Sequence, residues 1–378
     1  MKNKKLISAL LAAVLMTAPL LSGCSDSLEN TDPYNPLLPL VSSEQTSAQP
    51  SDAQPSAVVS YPDASQDSTD ASTPRTSTPQ TSTPQTSTDT STPQPTSDDL
   101  TPAMWKVENG TGNYIYMMGT IHVGDDSVNS MPEYVEDAYN WCDSIAVEAN
   151  ISEYLNDTSK AASLASSLIY TDGTTIKDHI SEETYNAAVE RLKQFNMYQP
   201  TYDYMIPYMW MSILSTTMAD NTGLSYYKGV DMAFINRATN DNKNIIEVES
   251  ITFQLDLFKS FSDELGELLI SQMLDPDYEN YVNIITVALF NRWKTGTVGD
   301  DLIDSSTFKS SNPEIVPLIE EYNNKLLSSR NTNMAKTVEQ YVDNGDKVFF
   351  MVGILHFYGE NGIIELLRKD GYTVTPVP

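Results

Sequence analysis

The stretch Lys347–His356, which reads KVFFMVGILH, decides how the rest of the chain is interpreted. Its apolar run contains aromatic and β-branched residues and stops at Gly353, which is typical of a buried strand. His356 follows where that strand ends, and open α/β sheets bind ligands beyond the carboxyl ends of their strands. The stretch therefore predicts a buried strand of an α/β sheet with a histidine at its functional edge.

The same pattern occurs once more, far upstream. Residues Tyr114–His122 read YIYMMGTIH, so a second apolar run ends in a glycine, Gly119, followed three residues later by a histidine. The chain has three histidines, and His122 and His356 occupy these matching contexts. The motif glycines, Gly119 and Gly353, would let the backbone turn sharply or approach a metal or substrate closely. The paired Gly-x-x-His motifs are the strongest functional signal in the sequence.

Residues 1–24 predict export and lipid attachment. Three lysines precede an apolar run from Leu6 to Leu21, which is the pattern of a signal peptide and is too short for a lasting membrane span. The run ends in Leu21-Ser22-Gly23-Cys24, which resembles a bacterial lipobox, although Cys24 in an ordinary signal peptide is the alternative. We expect Cys24 to carry a lipid that anchors the protein at the extracellular face of the bacterial membrane.

Residues 25–100 predict a disordered linker. They lack hydrophobic periodicity and are rich in Ser, Thr, Pro, Gln and Asp, and Thr76–Gln80 repeats at Thr81–Gln85. Such a segment buries too little apolar surface to offset its chain entropy. We therefore expect a signal peptide over 1–24, a spacer over 25–100 and one globular domain over 101–378.

The charge of the chain excludes some partners. Lys and Arg number 22 against 51 Asp and Glu, which gives a net charge of −29. A protein this acidic would be repelled by nucleic acids and anionic lipid surfaces. We therefore expect no nucleic-acid partner, and we expect contact with the membrane through the lipid anchor alone. Acidic groups could attract cations, but solubility explains most of this charge. The remaining cysteine, Cys142, is interpreted as a buried structural thiol.

Strands and helices alternate along the globular body, which predicts an α/β fold with a central mixed, largely parallel sheet flanked by helices and carrying helical insertions. Strands are expected over 105–107, 114–118, 144–147, 244–248, 347–352 and 372–374. Helices are expected over about 131–141, 151–169, 181–195, 228–240, 251–262, 265–274, 278–293, 313–343 and 362–369.

Two further stretches keep more than one interpretation. Residues 202–219 are rich in Met, Tyr and Trp. At helical spacing this pattern favours core, but the same side chains could line a groove for an extended peptide. His179 precedes a helix that Ser181 is expected to cap, and it is interpreted as a loop or cap residue.

Carboxylates at other strand ends could complete a site with the two histidines. Glu148 follows the third predicted strand. Imidazole and carboxylate together suit Zn²⁺, Mn²⁺, Co²⁺ or Fe²⁺, so His122, His356 and Glu148 would supply three ligands and leave a place for water. Such a metal lowers the pKa of its water and polarises a carbonyl.

Three further residues are candidates for catalysis. Glu249, which follows the fourth predicted strand, could act as general base. Arg330 could hold a substrate carboxylate or a developing oxyanion. Asp231 opens a predicted helix after a glycine. Their spacing is equally compatible with structural roles, and compact zinc-protease signatures such as His-Glu-x-x-His are absent from the sequence.

The motifs resemble those of the TraB/PrgY/GumN family, which includes the Tiki proteases of animals. The resemblance covers about residues 103–376 and rests on the two Gly-x-x-His motifs and the strand-end Glu148. It extends to Pro132-Glu133, Gly229-Val230-Asp231, Glu249-Ser250, Phe253-Gln254-Leu255, Arg330-Asn331, Met334 and Gly359-Glu360-Asn361-Gly362. Ser250 departs from the family pattern, in which threonine is common.

The resemblance implies a metal-dependent hydrolase. Tiki-type members are described as metal-dependent proteases with the two histidines and the glutamate at the site, and erythromycin-esterase-like and haem-iron-binding relatives share a similar plan. We therefore expect a surface lipoprotein whose domain cleaves a peptide, or another small molecule, with Mn, Co or Zn as cofactor. The alternative is a non-catalytic surface protein that binds or sequesters a peptide signal.

Overall fold

The computed structural model describes residues 100–377 apart from 151, 153, 155, 156, 219 and 301–311. The predicted signal peptide, Cys24 and the predicted linker up to residue 99 lie outside the described residues. None of the helices in the described part has the length and apolar composition needed to span a bilayer.

Six strands form one sheet in the order β4-β3-β5-β2-β1-β6. The pairs β4–β3, β3–β5 and β5–β2 are parallel, whereas β1 is antiparallel to both β2 and β6. The mixed, largely parallel sheet predicted from the sequence is confirmed. The strands are β1 Met104–Glu108, β2 Tyr114–Thr120, β3 Ser144–Val147, β4 Asn244–Glu247, β5 Val348–Gly353 and β6 Thr373–Val377.

Helices connect the strands and flank the sheet. Ser181 caps α3 as predicted, because its side chain accepts a hydrogen bond from the backbone N–H of Thr184. Gly345 ends α10 in the left-handed conformation, with φ of 74°. The helices are α1 Glu133–Trp141, α2 Thr158–Ser166, α3 Glu182–Gln194, α4 Pro207–Ser215, α5 Val230–Asn240, α6 Ile251–Lys259, α7 Asp263–Leu274, α8 Pro276–Lys294, α9 Val316–Asn323, α10 Ser329–Asn344 and α11 Ile363–Lys369.

The predicted long helix over 313–343 contains an irregularity that the sequence did not reveal. A π-helical segment, Asn324–Ser328, separates α9 from α10. Such segments are rare and often occur at functional sites. Arg330 lies in the first turn of α10, directly after this segment.

Two groups of buried apolar residues stabilise the domain. The first surrounds the sheet and includes all of the apolar residues of β5, together with Cys142, whose predicted burial is confirmed. The second packs α3, α4, α6 and α7 against one another. Tyr208, Met209, Trp210 and Met211 of α4 are all buried in this second group, so the core interpretation of this helix is confirmed. Tyr204, which precedes α4, is 55% exposed, so the core interpretation holds for the helix and not for the whole of residues 202–219.

The register of β2 and β5 places the two Gly-x-x-His motifs side by side. Gly119 lies opposite Val352, and Thr120 lies opposite Gly353. A side chain at Gly119 has no room, because a Cβ there would lie 1.9 Å from Cδ1 and 2.9 Å from Cα of Ile354. The glycine therefore allows the chain that leaves β5 to cross closely over β2, which carries both histidines to the same edge of the sheet.

Replacing Gly119 with alanine is expected to destabilise the domain by about 1–3 kcal/mol, since the new methyl group meets backbone as well as side chain of Ile354. Urea denaturation measures the change. Gly110→Ala is the matched control, because a Cβ there meets nothing within 4 Å, and it should change the free energy of unfolding by less than about 0.5 kcal/mol. Equal effects of the two substitutions would contradict this steric account.

Candidate functional site

The carboxyl ends of four neighbouring strands supply most of the site. His122 follows β2, Glu148 follows β3, Glu249 follows β4, and His356 lies in the short 3₁₀ helix Ile354–His356 after β5. Because these strands are parallel, their carboxyl ends meet at one edge of the sheet. Arg330 of α10 reaches the same edge. The structure thus brings together residues that lie far apart in the chain.

Glu148 lies at the centre of this cluster. Its Oε2 is 3.9 Å from Nε2 of His122, and its Oε1 is 3.4 Å from Nε2 of His356. The backbone N–H of Gly353 donates to Oε2 at 3.1 Å. The two imidazole rings, contributed by opposite ends of the domain, therefore face the same buried carboxylate.

Arg330 joins Glu148 to the second glutamate. Its Nη2 donates to Oε1 of Glu148 and, at 2.7 Å, to Oε2 of Glu249, and its Nε lies 3.0 Å from each oxygen of Glu249. Its Nη1 donates to the carbonyl oxygen of Leu326 in the π-helical segment. All three charged side chains are buried. The irregular turn before α10 therefore also takes part in holding the guanidinium.

The electrostatic environment keeps Glu148 ionised. Burial by itself raises the pKa of this carboxyl, but the Arg330 guanidinium and then the His356 and His122 rings, when they are protonated, outweigh that effect, so the pKa lies well below its ordinary value. The carboxylates of Glu148 and Glu249 in turn raise the pKa of Arg330 above its ordinary value, although burial opposes this. Glu148 and Arg330 consequently form a buried ion pair.

His122 is held by a carboxylate on its other ring nitrogen. Its Nδ1 lies 2.8 Å from Oδ2 of Asp231, and Oδ1 of Asp231 accepts a hydrogen bond of 2.6 Å from the hydroxyl of Thr120. Burial lowers the pKa of His122, but Asp231 and then Glu148 outweigh burial and raise it to about 9. Asp231, predicted as a catalytic candidate, is thus placed as the partner of His122.

Glycine makes this contact between α5 and His122 possible. Gly229 precedes α5, and a Cβ there would lie 2.5 Å from the carbonyl oxygen of His122. The backbone N–H of Val230 donates to the carbonyl oxygen of Ile121 at 2.9 Å. The close approach brings Asp231, in the first turn of α5, to the imidazole.

His356 has a different partner. Its Nδ1 lies 2.5 Å from Oδ1 of Asn331, whose Nδ2 donates to the carbonyl oxygen of Asn361 at 2.9 Å. Neither Asn331 nor Thr120 was assigned a chemical role from the sequence. The signals available were that Asn331 belongs to the Arg330-Asn331 pair of the family resemblance and that Thr120 lies inside the first Gly-x-x-His motif.

The third histidine takes no part in the cluster. His179 ends the 3₁₀ helix Ile176–Asp178, as its interpretation as a cap residue predicted. Its Nδ1 lies 2.9 Å from Oδ1 of Asp263, its Nε2 lies 3.0 Å from the hydroxyl of Thr174, and its ring stacks on Tyr170.

The side chains at this edge include donor types that suit a divalent cation. Nδ1 of each ring faces an acceptor, so Nε2 of each neutral ring would present its electron pair, as in histidines that bind metals. His122, whose pKa is raised to about 9, would have to lose its proton to bind a metal; with both imidazoles neutral, Glu148, Glu249 and Asp231 against Arg330 leave a formal charge of −2. Within the described part of the chain, no group of three or more His, Cys, Asp or Glu side chains is placed so that it could hold a metal ion.

Comparison with known proteins identifies the wider group to which this arrangement belongs. A model of the TraB/PrgY/gumN family matches residues 103–376, which is most of the chain. Neither the curated proteins nor the solved structures give a significant match.

Arg330→Met is expected to destabilise the domain by about 3–5 kcal/mol, because it leaves two carboxylates buried without their counter-ion. Denaturant unfolding measures the loss. Arg368→Met removes an exposed guanidinium that pairs with Glu365, and it should cost less than about 1 kcal/mol. A loss at Arg330 no larger than the loss at Arg368 would show that the buried ion pair contributes little to folding.

Proposed function

The chain belongs to the TraB/PrgY/gumN family, and we propose that its domain is a metal-dependent hydrolase that cleaves peptide bonds. One observation carries this proposal. Nε2 of His122 and Nε2 of His356 approach the two oxygens of a single buried carboxylate, Glu148, at the carboxyl edge of the sheet. Open α/β sheets bind ligands at this edge.

A divalent cation would be held by His122, His356 and Glu148. Once His122 has given up its proton, the surrounding groups carry a formal charge of −2, which such an ion would offset. Imidazole and carboxylate donors suit Mn²⁺, Co²⁺ or Zn²⁺. When bound, the cation would polarise the substrate carbonyl and lower the pKa of a water molecule.

The protein side chains would orient and stabilise the reacting groups. Asp231 holds the ring of His122, and Asn331 holds the ring of His356. Arg330 would keep Glu148 ionised and in place rather than contact substrate as predicted, since its three guanidinium nitrogens already donate to Glu148, Glu249 and the carbonyl oxygen of Leu326. About a quarter of the His122 side chain is exposed, against 6% for His356, so substrate would approach from the His122 side.

The contacts of Glu249 favour a supporting role over the predicted role of general base. Both of its oxygens accept from Arg330, and Oε2 also lies 3.4 Å from Nε2 of Gln254. Its backbone N–H donates to the carbonyl oxygen of Glu148, which keeps the two glutamates side by side. Glu249 would have to release Arg330 before it could accept a proton from water.

The proposal places this hydrolase outside the cell. The pattern of residues 1–24 supports export, and Cys24 would carry the lipid that anchors the chain. The Ser/Thr/Pro-rich segment over 25–100 would then hold the domain away from the membrane surface, where it would meet extracellular peptides.

A non-catalytic peptide binder is the less supported alternative. It relied on residues 202–219 as a groove, but Tyr208–Leu214 of α4 are buried, and Tyr204 is the exposed large aromatic residue of the stretch. A surface that only binds peptide also has no need for a buried cluster of two imidazoles, three carboxylates and a guanidinium. The hydrolase proposal gives each of these groups a role.

Metal analysis of the purified protein tests the cation site. After chelation and dialysis against Mn²⁺, Co²⁺ or Zn²⁺, the wild type should retain one of these metals. A variant with His122→Ala and His356→Ala should lose metal affinity by more than about 100-fold, because it lacks both imidazole donors. His179→Ala is the matched control and should retain metal as the wild type does. Equal metal content in all three proteins would end the proposal of a site at Glu148.

A peptide-library assay tests the reaction itself. Cleavage is expected with one of the three metals, should stop on chelation and should return when that metal is restored. The double histidine variant should show no cleavage, whereas His179→Ala should cleave at the wild-type rate. Cleavage that survives both chelation and the double substitution would assign the activity to something other than this site.

Lipid attachment is tested by Cys24→Ser. This variant should incorporate no labelled fatty acid, since the thiol that would carry the lipid is gone. Cys142→Ser changes the buried thiol and should be labelled like the wild type. Equal labelling of the two variants would exclude Cys24 as the site of the anchor.

A further inference from the structure

The side-chain amide of Asn331 fits its surroundings in one orientation. Its Nδ2 lies 2.9 Å from the carbonyl oxygen of Asn361, which can only accept a hydrogen bond, so the NH₂ group must face that way. Oδ1 then faces Nδ1 of His356 at 2.5 Å. Asn331 and His356 are only 3% and 4% exposed, so water does not compete for this contact.

This orientation decides where His356 carries its proton. An amide oxygen only accepts, so the ring nitrogen that faces it must donate. A second acceptor, Oε1 of Glu148, lies 3.4 Å from Nε2 at the opposite end of the ring. That oxygen already accepts a hydrogen bond from Arg330, and it is farther from the ring than the amide oxygen is. Two acceptors thus compete for one imidazole proton, and the geometry favours Asn331.

We propose that Asn331 is a positioning residue that selects the Nδ1–H tautomer of His356 and so leaves an electron pair on Nε2, facing Glu148. The use of that pair to bind a cation rests on the proposed function, whereas the tautomer itself does not. Asn331 achieves this without adding charge, in contrast to Asp231 at the other ring. A carboxylate at position 331 would add a fourth negative charge to the cluster.

Nitrogen-15 NMR of histidine-labelled protein tests the tautomer directly. The chain has three histidines, so a two-bond ¹H–¹⁵N spectrum contains three ring systems, which His122→Ala and His179→Ala assign by difference. In metal-free wild type, at a pH where the spectrum shows a neutral His356 ring, Nδ1 should be protonated and Nε2 unprotonated. A neutral ring with its proton on Nε2 would overturn the proposal.

Substitution of Asn331 provides the second measurement. In Asn331→Ala the proton of His356 should move to Nε2, where Glu148 is then the nearest acceptor. Asn331→Asp keeps an acceptor oxygen and should retain the Nδ1–H form. Asn333→Ala removes an exposed amide two residues further along α10 and should leave the wild-type spectrum unchanged. An unchanged tautomer in Asn331→Ala would overturn the proposal, and the wild-type spectrum decides the assignment even if that variant does not fold.

Metal affinity separates this proposal from the proposed function. If the cation site exists, Asn331→Ala should bind metal about 10–100-fold more weakly than Asn333→Ala, because it lacks the side chain that orients a metal-binding imidazole. An Nδ1–H tautomer in a protein that binds no metal would support the present inference and defeat the hydrolase proposal. A wild-type Nε2–H tautomer in a protein that does bind metal would overturn the present inference and leave the hydrolase proposal standing.

Discussion

The buried contact between Glu148 and Arg330 is the interaction on which the rest of the site depends. A carboxylate at this depth is costly unless an opposite charge and additional hydrogen bonds compensate it. Arg330 supplies the charge, and the backbone of Gly353 supplies a further hydrogen bond. Because Glu148 follows β3, Gly353 ends β5 and Arg330 belongs to α10, this one carboxylate fixes two strand ends and a helix relative to one another. The positions of the two imidazoles depend on this arrangement of strand ends and helix.

The two histidines are equivalent in sequence but not in environment. Both follow a glycine at the end of a parallel strand, and both turn Nε2 toward Glu148. His122 is partly exposed and pairs with the carboxylate of Asp231, which favours the charged ring, whereas His356 is buried and pairs with the neutral amide of Asn331. A motif that repeats along the chain has therefore produced an asymmetric site, with one ring open to solvent and one enclosed.

The sequence was informative wherever a local pattern determines the structure. The apolar runs before Gly119 and Gly353 predicted β2 and β5, and the rule that parallel strands end at one edge predicted that His122, Glu148 and His356 would meet. The contact of Asn331 with His356 depends on how α10 packs across the strand ends, and no local pattern encodes that. The π-helical turn before Arg330 also escaped prediction, since its side chains have ordinary helical preferences. Periodicity alone likewise could not decide between core and groove for α4, because a helix buried on all sides resembles an exposed apolar one.

The position of β5 in the sheet has a consequence for how the protein is made. β5 lies between β3 and β2, so the pairs β4–β3 and β2–β1 are joined in the sheet only through a strand that is synthesised after all four. Arg330, 182 positions after Glu148, also emerges late. Until then the nascent chain contains two strand pairs that are individually too small to be stable, and acidic side chains without their counter-ion. The domain should therefore reach its native structure only after its C-terminal segment has emerged, and a prematurely terminated chain would be left to proteolysis.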